Sequence, residues 1–432
     1  MRALRSTNIL VAFLAAAGFA AAPEASAAPK PIGRSVTVAA PVKFDISPPL
    51  RDIKPIQDVS GKGSAPANPP IQKSGRALGP SVPGPDGALQ QRPGATTMPD
   101  PLANFEGINN IWGYLPPDTT GDVGPNHFVE WVNVGFAVYD KATGTKIYPA
   151  SGFADGNTLW SGFSTPCSSS NDGDPQVNYD HLADRWVMSQ FALPNYPSGP
   201  FYQCFAISVN GDPTGSWYRY QYVVSNTKMN DYPKVGVWPD GYYYTVNQFV
   251  GNAWGGLGVA VYEREKMIAG DPAARQVYID TGAVTTNYGG ALPADLDGMA
   301  PPPGTPGYVM EWDDSSWIGD PTDTIRIWEF HVDWANPANS TFGLNSSFDA
   351  SYKIATADAT VLCQNNRACI PQPGTSAKLD AIGDRLMQRL QYRIVNGVPR
   401  LTTNMTVDAG GNRAGVRWYQ LENPGTGWAM KD

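Results

Sequence analysis

Charged residues are scarce in this sequence, and the positive ones never gather into a long basic run. Only 16% of the 432 residues are charged, and the formal net charge is -8 with a pI near 5.0. Neither a nucleic-acid partner nor an anionic membrane surface is expected, because both require clustered Lys and Arg. Beyond the amino terminus no apolar run is long enough to cross a bilayer, so no membrane span is predicted.

Several catalytic signatures are also missing. The three histidines, His127, His181 and His331, are scattered, without an HExxH motif or a Cys–His pair, so zinc catalysis is not indicated. A Gly-x-Ser-x-Gly elbow, a Walker A loop and a dinucleotide fingerprint are absent as well. These absences leave clustered carboxylates as the residues to consider for acid–base chemistry.

Glycine and proline are abundant, with 45 and 40 copies, which suits many short strands joined by turns. The fold class is therefore predicted to be all-β. Glu130–Tyr139 is predicted to be one buried strand, and Trp238–Gly241 a turn between two strands. Residues 386–393 are also interpreted as a strand, and the strongest helix signal lies at Arg264–Ala269.

The first 27 residues are typical of a signal peptide. Arg2 and Arg5 precede the apolar run of residues 9–22, and Ala25-Ser26-Ala27 supplies a small-residue cleavage site. We therefore expect export, with the extracellular space as the destination and the periplasm as the alternative.

Residues 28–104 differ from everything after them, because they are rich in Pro and contain a single aromatic residue, Phe44. With so little to bury, this segment is predicted to be a largely disordered linker, stalk or pro-segment. Val36–Val38 and Val42–Ile46 are the two patches able to add a strand to the body. The folded domain is predicted to span residues 105–432.

Four cysteines in an exported protein predict two disulfides, because such bonds persist in oxidising compartments. Three pairings are open. We expect Cys167 to pair with Cys204 across neighbouring strands, and Cys363 to pair with Cys369 around a short loop.

One sequence pattern recurs along the domain: an acidic residue, a Pro, a β run, a turn and an aromatic β run. It is clearest in Asn171–Phe191 and Asn230–Val246. The acidic residues that open the units are Asp118/Asp122, Asp172/Asp174, Asp231, Asp295/Asp297 and Asp380/Asp384. Five such units predict a β-propeller, with a repeat-containing β-sandwich as the runner-up. In a propeller these opening residues would converge at one end of the central channel.

Five stretches carry a resemblance to a known family. They are Pro116–His127, Asn171–Phe191, Asn230–Lys234, His331–Pro337 and Leu379–Leu386. As a set they resemble a poorly characterised family of secreted bacterial proteins with sialidase-like (BNR-like) propeller blades. The resemblance implies a propeller fold over about residues 106–421 and says little about activity.

The family usually continues beyond the motif Arg417-Trp418-Tyr419 with further blade-like units, whereas this sequence ends at Asp432. The resemblance therefore implies a carboxy-terminally truncated chain with an incomplete propeller. An open propeller would leave strand edges exposed.

Two sets of residues are predicted to act at the channel mouth, where propeller glycosidases place an acid and a base or nucleophile. The predicted catalytic residues are Asp174, Asp231 and Asp297. The predicted ligand-binding residues are Asp118, Asp384 and Arg385. The structural alternative is that these Asp side chains cap tight turns by accepting backbone N–H bonds.

Calcium is the cofactor the sequence allows. Asp172-Gly173-Asp174 and Asp295-Leu296-Asp297-Gly298 look like fragments of oxygen-ligand loops, although neither completes an EF-hand. The predicted ligands are Asp172, Asp174, Asp295 and Asp297.

Sialidases grip a carboxylate with clustered arginines. The arginines of the last unit are Arg385, Arg389, Arg393, Arg413 and Arg417. Because they are spread along one unit, they are predicted to form solvated strand faces. The aromatic runs Trp217–Tyr222 and Tyr242–Tyr244 are predicted to pack within blades rather than to stack on sugars.

Three functional hypotheses follow. The first is a secreted, calcium-stabilised propeller that binds an extracellular glycan or surface protein without catalysis. The second is a glycoside hydrolase that uses the carboxylates at the channel mouth. The third is a truncated remnant without function.

Overall fold

The structure is a computed structural model that describes residues 36–57, 98–110, 112–114, 116–363 and 368–432. The predicted signal peptide and residues 28–35 and 58–97 lie outside the described residues. Two short strands come first along the chain. They are β1 (Val36–Ala39) and β2 (Lys43–Ile46).

Most of the strands that follow form five antiparallel groups, which we name blades I to V; blades IV and V are joined into one sheet by a parallel strand pair. Blade I contains β3 (Thr120–Val123), β4 (His127–Val132), β5 (Gly135–Asp140), β6 (Lys146–Tyr148) and β7 (Ala154–Asp155). Blade II contains β8 (Gln176–Asp180), β9 (Arg185–Ala192), β10 (Phe201–Ser208) and β11 (Trp217–Ser225). Blade III contains β12 (Met229–Trp238), β13 (Gly241–Val250), β14 (Ala253–Tyr262) and β15 (Gln276–Asp280).

The remaining strands build the last two blades and a separate ribbon. Blade IV contains β16 (Leu292–Leu296), β17 (Gly307–Asp313), β18 (Thr324–His331), β19 (Thr341–Phe342) and β20 (Tyr352–Ala355). The ribbon contains β21 (Ala368–Pro371) and β22 (Lys378–Asp380). Blade V contains β23 (Met387–Val395), β24 (Val398–Asp408), β25 (Ala414–Glu422) and β26 (Ala429–Met430).

Helical segments among the described residues are all short. The α-helices are α1 (Pro166–Ser169), α2 (Arg264–Ala269) and α3 (Ser315–Ile318). The 3-10 turns are Leu50–Asp52, Gly156–Trp160, Thr281–Ala283 and Pro337–Asn339. The helix predicted at Arg264–Ala269 is confirmed. None of the described helices has the length and apolarity needed to cross a membrane.

The first strands of the five blades lie side by side around the centre of the molecule. β3 lies next to β8, β8 next to β12, and β12 next to β16. β16 and β23 pair directly and in parallel, with Ala294 opposite Leu390. Antiparallel blades whose first strands lie side by side around one centre are the arrangement of a β-propeller. The predicted all-β propeller with five units is therefore confirmed.

The fifth blade also reaches back to the first. Arg389 on β23 donates a hydrogen bond to Asp122 Oδ2 on β3, at 3.2 Å. Gln388, its neighbour, donates to Gln176 on β8 at 2.8 Å. The expectation of an open ring is therefore not met by these residues, because side chains of blade V link it to blades I and II.

The amino-terminal strands complete two blades from outside. β1 pairs with β15, with Val36 opposite Ile279, and β2 pairs with β11, with Phe44 opposite Tyr220. The two patches expected to add a strand therefore do so. This result corrects the disordered interpretation for residues 36–57, because backbone pairing and the burial of Leu50 hold them to the propeller.

Glu130–Tyr139 was expected to form one strand, and this prediction is wrong. The segment is a hairpin in which β4 turns at Asn133 and Val134 into β5. Asn133 takes a left-handed conformation with φ of 44°, which Asn tolerates better than most residues. The turn matters for the site, because it directs Asn133 toward the carboxylates described below.

Other local predictions are confirmed. The strand predicted at 386–393 is β23, and Trp238–Gly241 is a turn between β12 and β13. Both aromatic runs pack inside blades, since Trp217, Tyr220, Tyr222 and Tyr242–Tyr244 are all buried.

Both predicted disulfides are present. Cys167 and Cys204 have Cα atoms 5.8 Å apart, and Cys363 and Cys369 have Cα atoms 6.1 Å apart. Both distances fall in the ordinary range for disulfide-bonded residues. The first bond joins α1 to β10 and fixes the loop that leads into β8.

Candidate functional site

Three of the acidic opening residues come together near the starts of three neighbouring first strands, each from a different blade. Asp118 precedes β3, Asp174 precedes β8, and Asp231 lies near the start of β12. The charges of all three influence one another, and Lys234 lies among them. We call Asp118, Asp174, Asp231 and Lys234 the mouth cluster.

The local backbone explains how these side chains converge. Asp118 and Asp174 adopt left-handed conformations, with φ of 43° and 47°, which bend the chain just before each first strand. A β-bulge interrupts the pairing of β12 with β13 between Asp231 and Lys234. Bulges redirect side chains, and Tyr232 within this one has φ of 53°. Two bends and a bulge therefore place the mouth cluster.

Hydrogen bonds connect the three blades at this point. The Tyr232 N–H donates to Asp174 Oδ2 at 2.8 Å, and the Asn133 side-chain amide donates to Asp118 Oδ2 at 3.1 Å. Asp118 and Asp174 also share a side-chain hydrogen bond. Asp231 is 2% exposed, and its Oδ1 atom is buried with no hydrogen-bond partner among the described residues.

Burial raises the pKa of all three carboxyl groups. Loss of solvent raises the pKa of Asp118 and of Asp231 well above the ordinary value, and the Asp174 charge adds to both increases. Burial also raises the pKa of Asp174, but Lys234, the Tyr232 N–H and the Asp118 hydrogen bond act against this rise. The hydrogen bond between the two acids raises the pKa of Asp118 and lowers that of Asp174.

The same burial also affects the ionisation of Lys234, the cation of the mouth cluster. Burial lowers the pKa of Lys234, while the three carboxyl groups act to raise it. Its Nζ atom donates to the Pro233 carbonyl oxygen at 3.0 Å and lies 3.7 Å from the centroid of the Tyr232 ring. Lys234 thus faces three acids, and the charge of Arg385 also acts on Asp231.

Asp384 and Arg385, predicted to bind ligand, lie beside the mouth cluster. Arg385 binds Asp384 through two hydrogen bonds of 2.8 and 3.0 Å, and its Cζ atom lies 4.8 Å from the Tyr232 ring centroid. Tyr232 is therefore held between two cations, Lys234 and Arg385. Burial raises the pKa of Tyr232 to about 12, so its hydroxyl stays protonated.

The fourth acidic unit does not join this cluster. Asp295 and Asp297 lie in and just after β16, with Asp122 of β3 and Arg389 of β23 close by. Arg389 contacts Asp295 at 2.6 Å and Asp122 at 3.2 Å, and Gln391 donates to Asp297 Oδ2 at 2.5 Å. We call Asp122, Asp295, Asp297 and Arg389 the arginine cluster. Asp297, predicted to act with Asp174 and Asp231, is therefore placed apart from them.

In the arginine cluster, two of the acids accept hydrogen bonds from backbone N–H groups. Asp295 Oδ1 accepts the Val237 N–H at 2.8 Å, and Asp122 Oδ2 accepts the Tyr179 N–H at 2.8 Å. Burial raises the pKa of Asp295 to about 6, because Arg389 and the Val237 N–H only partly offset the loss of solvent. The expected role of accepting backbone N–H bonds is thus found, and these two donors belong to neighbouring blades, while Asp122 Oδ1 also accepts the local Val123 N–H.

The four predicted calcium ligands do not form one site. Asp172 Oδ2 accepts the Leu193 N–H at 2.6 Å, Asp174 belongs to the mouth cluster, and Asp295 and Asp297 belong to the arginine cluster. Within the described part of the chain, no group of three or more His, Cys, Asp or Glu residues is arranged to hold a metal ion.

The arginines of blade V correct another expectation. Arg385 and Arg417 are buried, and the Arg389 side chain is 24% exposed, whereas Arg393 and Arg413 are exposed. Arg417 donates to the Ala357 carbonyl oxygen at 2.7 Å, away from the other two. Arg389 and Arg417 bind partners from distant segments, and Arg385 binds the adjacent Asp384. The predicted solvated face therefore holds for Arg393 and Arg413 but not for these three.

Sequence reasoning missed Lys234 and Asn133. Lys234 lies in the quoted stretch Asn230–Lys234, and its position after Pro233 within a β run is the signal that was available. Asn133 was hidden because the hairpin containing it was interpreted as one strand.

No family model and no curated protein matches this sequence. Among solved structures, the chain is similar to an exo-1,5-α-L-arabinanase from a bovine ruminal metagenomic library, with 8% identity, 73% of this chain and 96% of that chain covered, and a TM-score of 0.35. It is also similar to a Cellvibrio cellulosa α-L-arabinanase, with 11% identity, coverage of 73% and 94%, and a TM-score of 0.32. A GH43 endo-arabinanase from Bacillus licheniformis gives 12% identity, coverage of 72% and 95%, and a TM-score of 0.31. Similarity at these scores carries no argument about activity.

Proposed function

We propose that this protein is an exported glycoside hydrolase whose acid–base chemistry takes place at the mouth cluster. One observation carries the proposal. Carboxyl groups from three successive blades come together around Lys234: burial raises the pKa of Asp118 and Asp231 well above the ordinary value, whereas Lys234, the Tyr232 N–H and Asp118 oppose this rise for Asp174. A protonated acid beside an ionised carboxylate is the pair that glycoside hydrolysis requires.

Each residue then has a distinct role. Asp231, protonated and with a buried oxygen left without a partner, donates a proton to the leaving-group oxygen. Asp174 serves as the carboxylate that activates water or attacks the sugar. The hydrogen bond from Asp118 stabilises the ionised form of Asp174, so Asp118 tunes the pKa of Asp174 rather than reacting itself.

Export is part of the proposal. The amino-terminal 27 residues carry the features of a signal peptide, and two disulfides join the four cysteines. Disulfides persist in oxidising compartments. An extracellular polysaccharide is therefore the substrate we expect.

Hydrolysis of a panel of neutral and acidic polysaccharides, followed by reducing-end release, tests the proposal. Asp231→Asn and Asp174→Asn should each lower turnover by roughly 10²–10⁴-fold, while circular dichroism shows that both variants remain folded. Asp297→Asn is the matched control, because Asp297 lies in the arginine cluster, and it should retain turnover. Equal losses in all three variants, or turnover that survives Asp231→Asn, would contradict the assignment.

Binding without catalysis is the second candidate, and the presence of Lys234 and Arg385 among the acids favours it. Charged groups this well interleaved also occur in purely structural networks. A glycan or surface protein that binds wild type and Asp231→Asn equally, without any turnover on the panel, would support this candidate. A remnant without function would neither bind nor hydrolyse.

Sialidase activity and calcium are left out of the proposal. The arginines that would grip a sialic acid carboxylate are engaged separately, with Arg385 on Asp384 and Arg389 on Asp122 and Asp295. The acids expected to bind calcium are divided between places and already accept N–H bonds or contact Arg389.

A further inference from the structure

A cavity of about 320 Å³ opens at the junction of blades I and II. Two connections link it to the mouth cluster. Asp172 lines the cavity and is separated from Asp174 by Gly173 alone. Val134 lines it as well, and the preceding residue, Asn133, donates its hydrogen bond to Asp118. Its volume is at the lower end of the range for ligand pockets, about 300–1,000 Å³.

The cavity wall contains polar atoms that lack partners within the described chain. Asn157 Oδ1 and Trp112 Nε1 are both buried without a hydrogen bond. Asn171 accepts the Asn157 N–H at 3.2 Å and donates to the Val134 carbonyl oxygen at 2.9 Å, so the asparagine pair is held in place. Buried polar atoms are normally satisfied, and a donor and an acceptor left over in one wall suit a ligand with hydroxyl groups.

Close packing fixes this wall. A Cβ atom on Gly156 would collide with Trp131, Gln190 and Asn171, so only glycine allows the 3-10 turn to approach them. The Trp112 ring packs edge-on against Phe153, with centroids 4.1 Å apart. The wall is therefore formed before any ligand arrives, which lowers the ordering cost of binding.

The charges of the residues that line the cavity indicate which ligands it can bind. Asp155 and Asp172 are its charged members, and none of the described residues that line the cavity is Lys, Arg or His. An anionic sugar would meet two acids and no cation, which opposes binding. An aromatic ring, two asparagines and serine hydroxyls instead match the apolar faces and hydroxyl groups of an uncharged sugar.

We infer that this cavity is a binding subsite for an uncharged saccharide unit, which contacts the Trp112 ring and forms hydrogen bonds with Trp112 Nε1 and Asn157 Oδ1. The inference rests on the proposed function in naming the substrate as a glycan. It adds that the chain prefers neutral glycans and that one sugar unit is held beside blades I and II while another is cleaved at the mouth cluster.

Titration calorimetry on the full mature chain tests the subsite, in an Asp231→Asn background that prevents turnover. The probes are gluco-, xylo-, galacto- and arabino-oligosaccharides, with oligogalacturonate as the charged counterpart. Trp112→Phe keeps the ring contact and removes the N–H, and Asn157→Ala removes the acceptor. Trp418→Phe is the matched control, because Trp418 is 50% exposed on β25 in blade V.

At least one neutral oligosaccharide should bind, and oligogalacturonate should not. Trp112→Phe and Asn157→Ala should each weaken the affinity roughly tenfold, as expected for one lost hydrogen bond, and Trp418→Phe should leave it unchanged. Unchanged affinity in both subsite variants, stronger binding of oligogalacturonate, or no binding of any neutral probe would overturn the inference. Neutral binding that depends on Trp112 and Asn157, without hydrolysis by wild type, would reject the proposed hydrolase and retain the subsite.

Discussion

The mouth cluster and the arginine cluster are built from the same materials but balance their charges in opposite ways. Both gather aspartates from the first strands of several blades around one cation. In the arginine cluster, Arg389 contacts Asp122 and Asp295, and each of these acids also accepts a backbone N–H from a neighbouring blade. In the mouth cluster, Asp231 Oδ1 is buried without a hydrogen-bond partner among the described residues, and Lys234 lies among three acids.

The contrast separates acids that hold blades together from acids that retain protons. A guanidinium offers several donors in a fixed plane, so Arg389 can bridge two blades at once. A lysine ammonium is a compact charge, and desolvation lowers the pKa of Lys234. We therefore expect the arginine cluster to dominate stability and the mouth cluster to dominate chemistry.

The largest effect on stability should come from removing the bridging cation. Arg389→Met leaves Asp122 and Asp295 without their cation, and the free energy of unfolding should fall by about 3–5 kcal/mol. Lys234→Met should cost clearly less, because the mouth acids can take up protons instead of remaining charged. Urea unfolding at neutral pH measures both, and a larger loss in Lys234→Met would reverse the comparison.

A smaller effect should appear in the pH dependence of stability. The pKa of Asp295 is raised to about 6 in the folded protein, against about 3.9 in an unfolded chain. The folded state therefore binds more protons between these values, so this residue's contribution is fully present below about pH 4 and is lost as the pH rises through 6. The loss should amount to roughly 2–3 kcal/mol.

Unfolding measured from pH 4 to 7 checks this expectation. Asp295→Asn should flatten the profile between about pH 4 and 6. Asp231→Asn should flatten it over a range that reaches higher pH, because burial raises the pKa of Asp231 well above its usual range. Identical profiles for wild type and Asp295→Asn would show that Asp295 does not titrate in this window.

The smallest expected effect is that of a chelator. Excess chelator should leave the melting temperature unchanged, because Asp122 and Asp295 already bind Arg389 and burial raises the pKa of Asp118 and Asp231 well above the ordinary value. Differential scanning calorimetry with and without added calcium measures this directly. A rise in melting temperature with calcium would contradict this expectation. It would show that the folded protein binds the ion that the sequence suggested, with carboxylates that reorganise around it.

The convergence of the opening residues shows how far sequence reasoning extended. The repeat predicted that the opening residues would converge, and Asp118, Asp174 and Asp231 come together with Asp384 beside them. Asp297 does not join them, because its motif resembles the start of a repeat unit but follows β16 instead of preceding it. Whether an aspartate lies before or after a first strand depends on where that strand begins and ends. A shift by the length of one strand moves the aspartate to the opposite end.

Local features were determined by the sequence itself. The all-β class, the helix at Arg264–Ala269, both disulfide pairings and the packing of the aromatic runs were all predicted and are all found. Apart from the Cys167–Cys204 pair, whose residues are 37 positions apart, each depends on residues that are close along the chain or on the composition of one segment. Turn chemistry and side-chain alternation act within a few positions, so they can be recognised without a fold.

Only the tertiary structure decided which acids have raised pKa values and which acids are paired. Asp122 and Arg389 are 267 positions apart, and Arg219 reaches Asp45 across 174 positions to hold the amino-terminal strand β2. Loss of solvent around Asp118, Asp231 and Lys234 is the summed effect of several blades packing together. Ionisation depends on burial and on every nearby charge, and both are set by residues that the sequence alone leaves far apart.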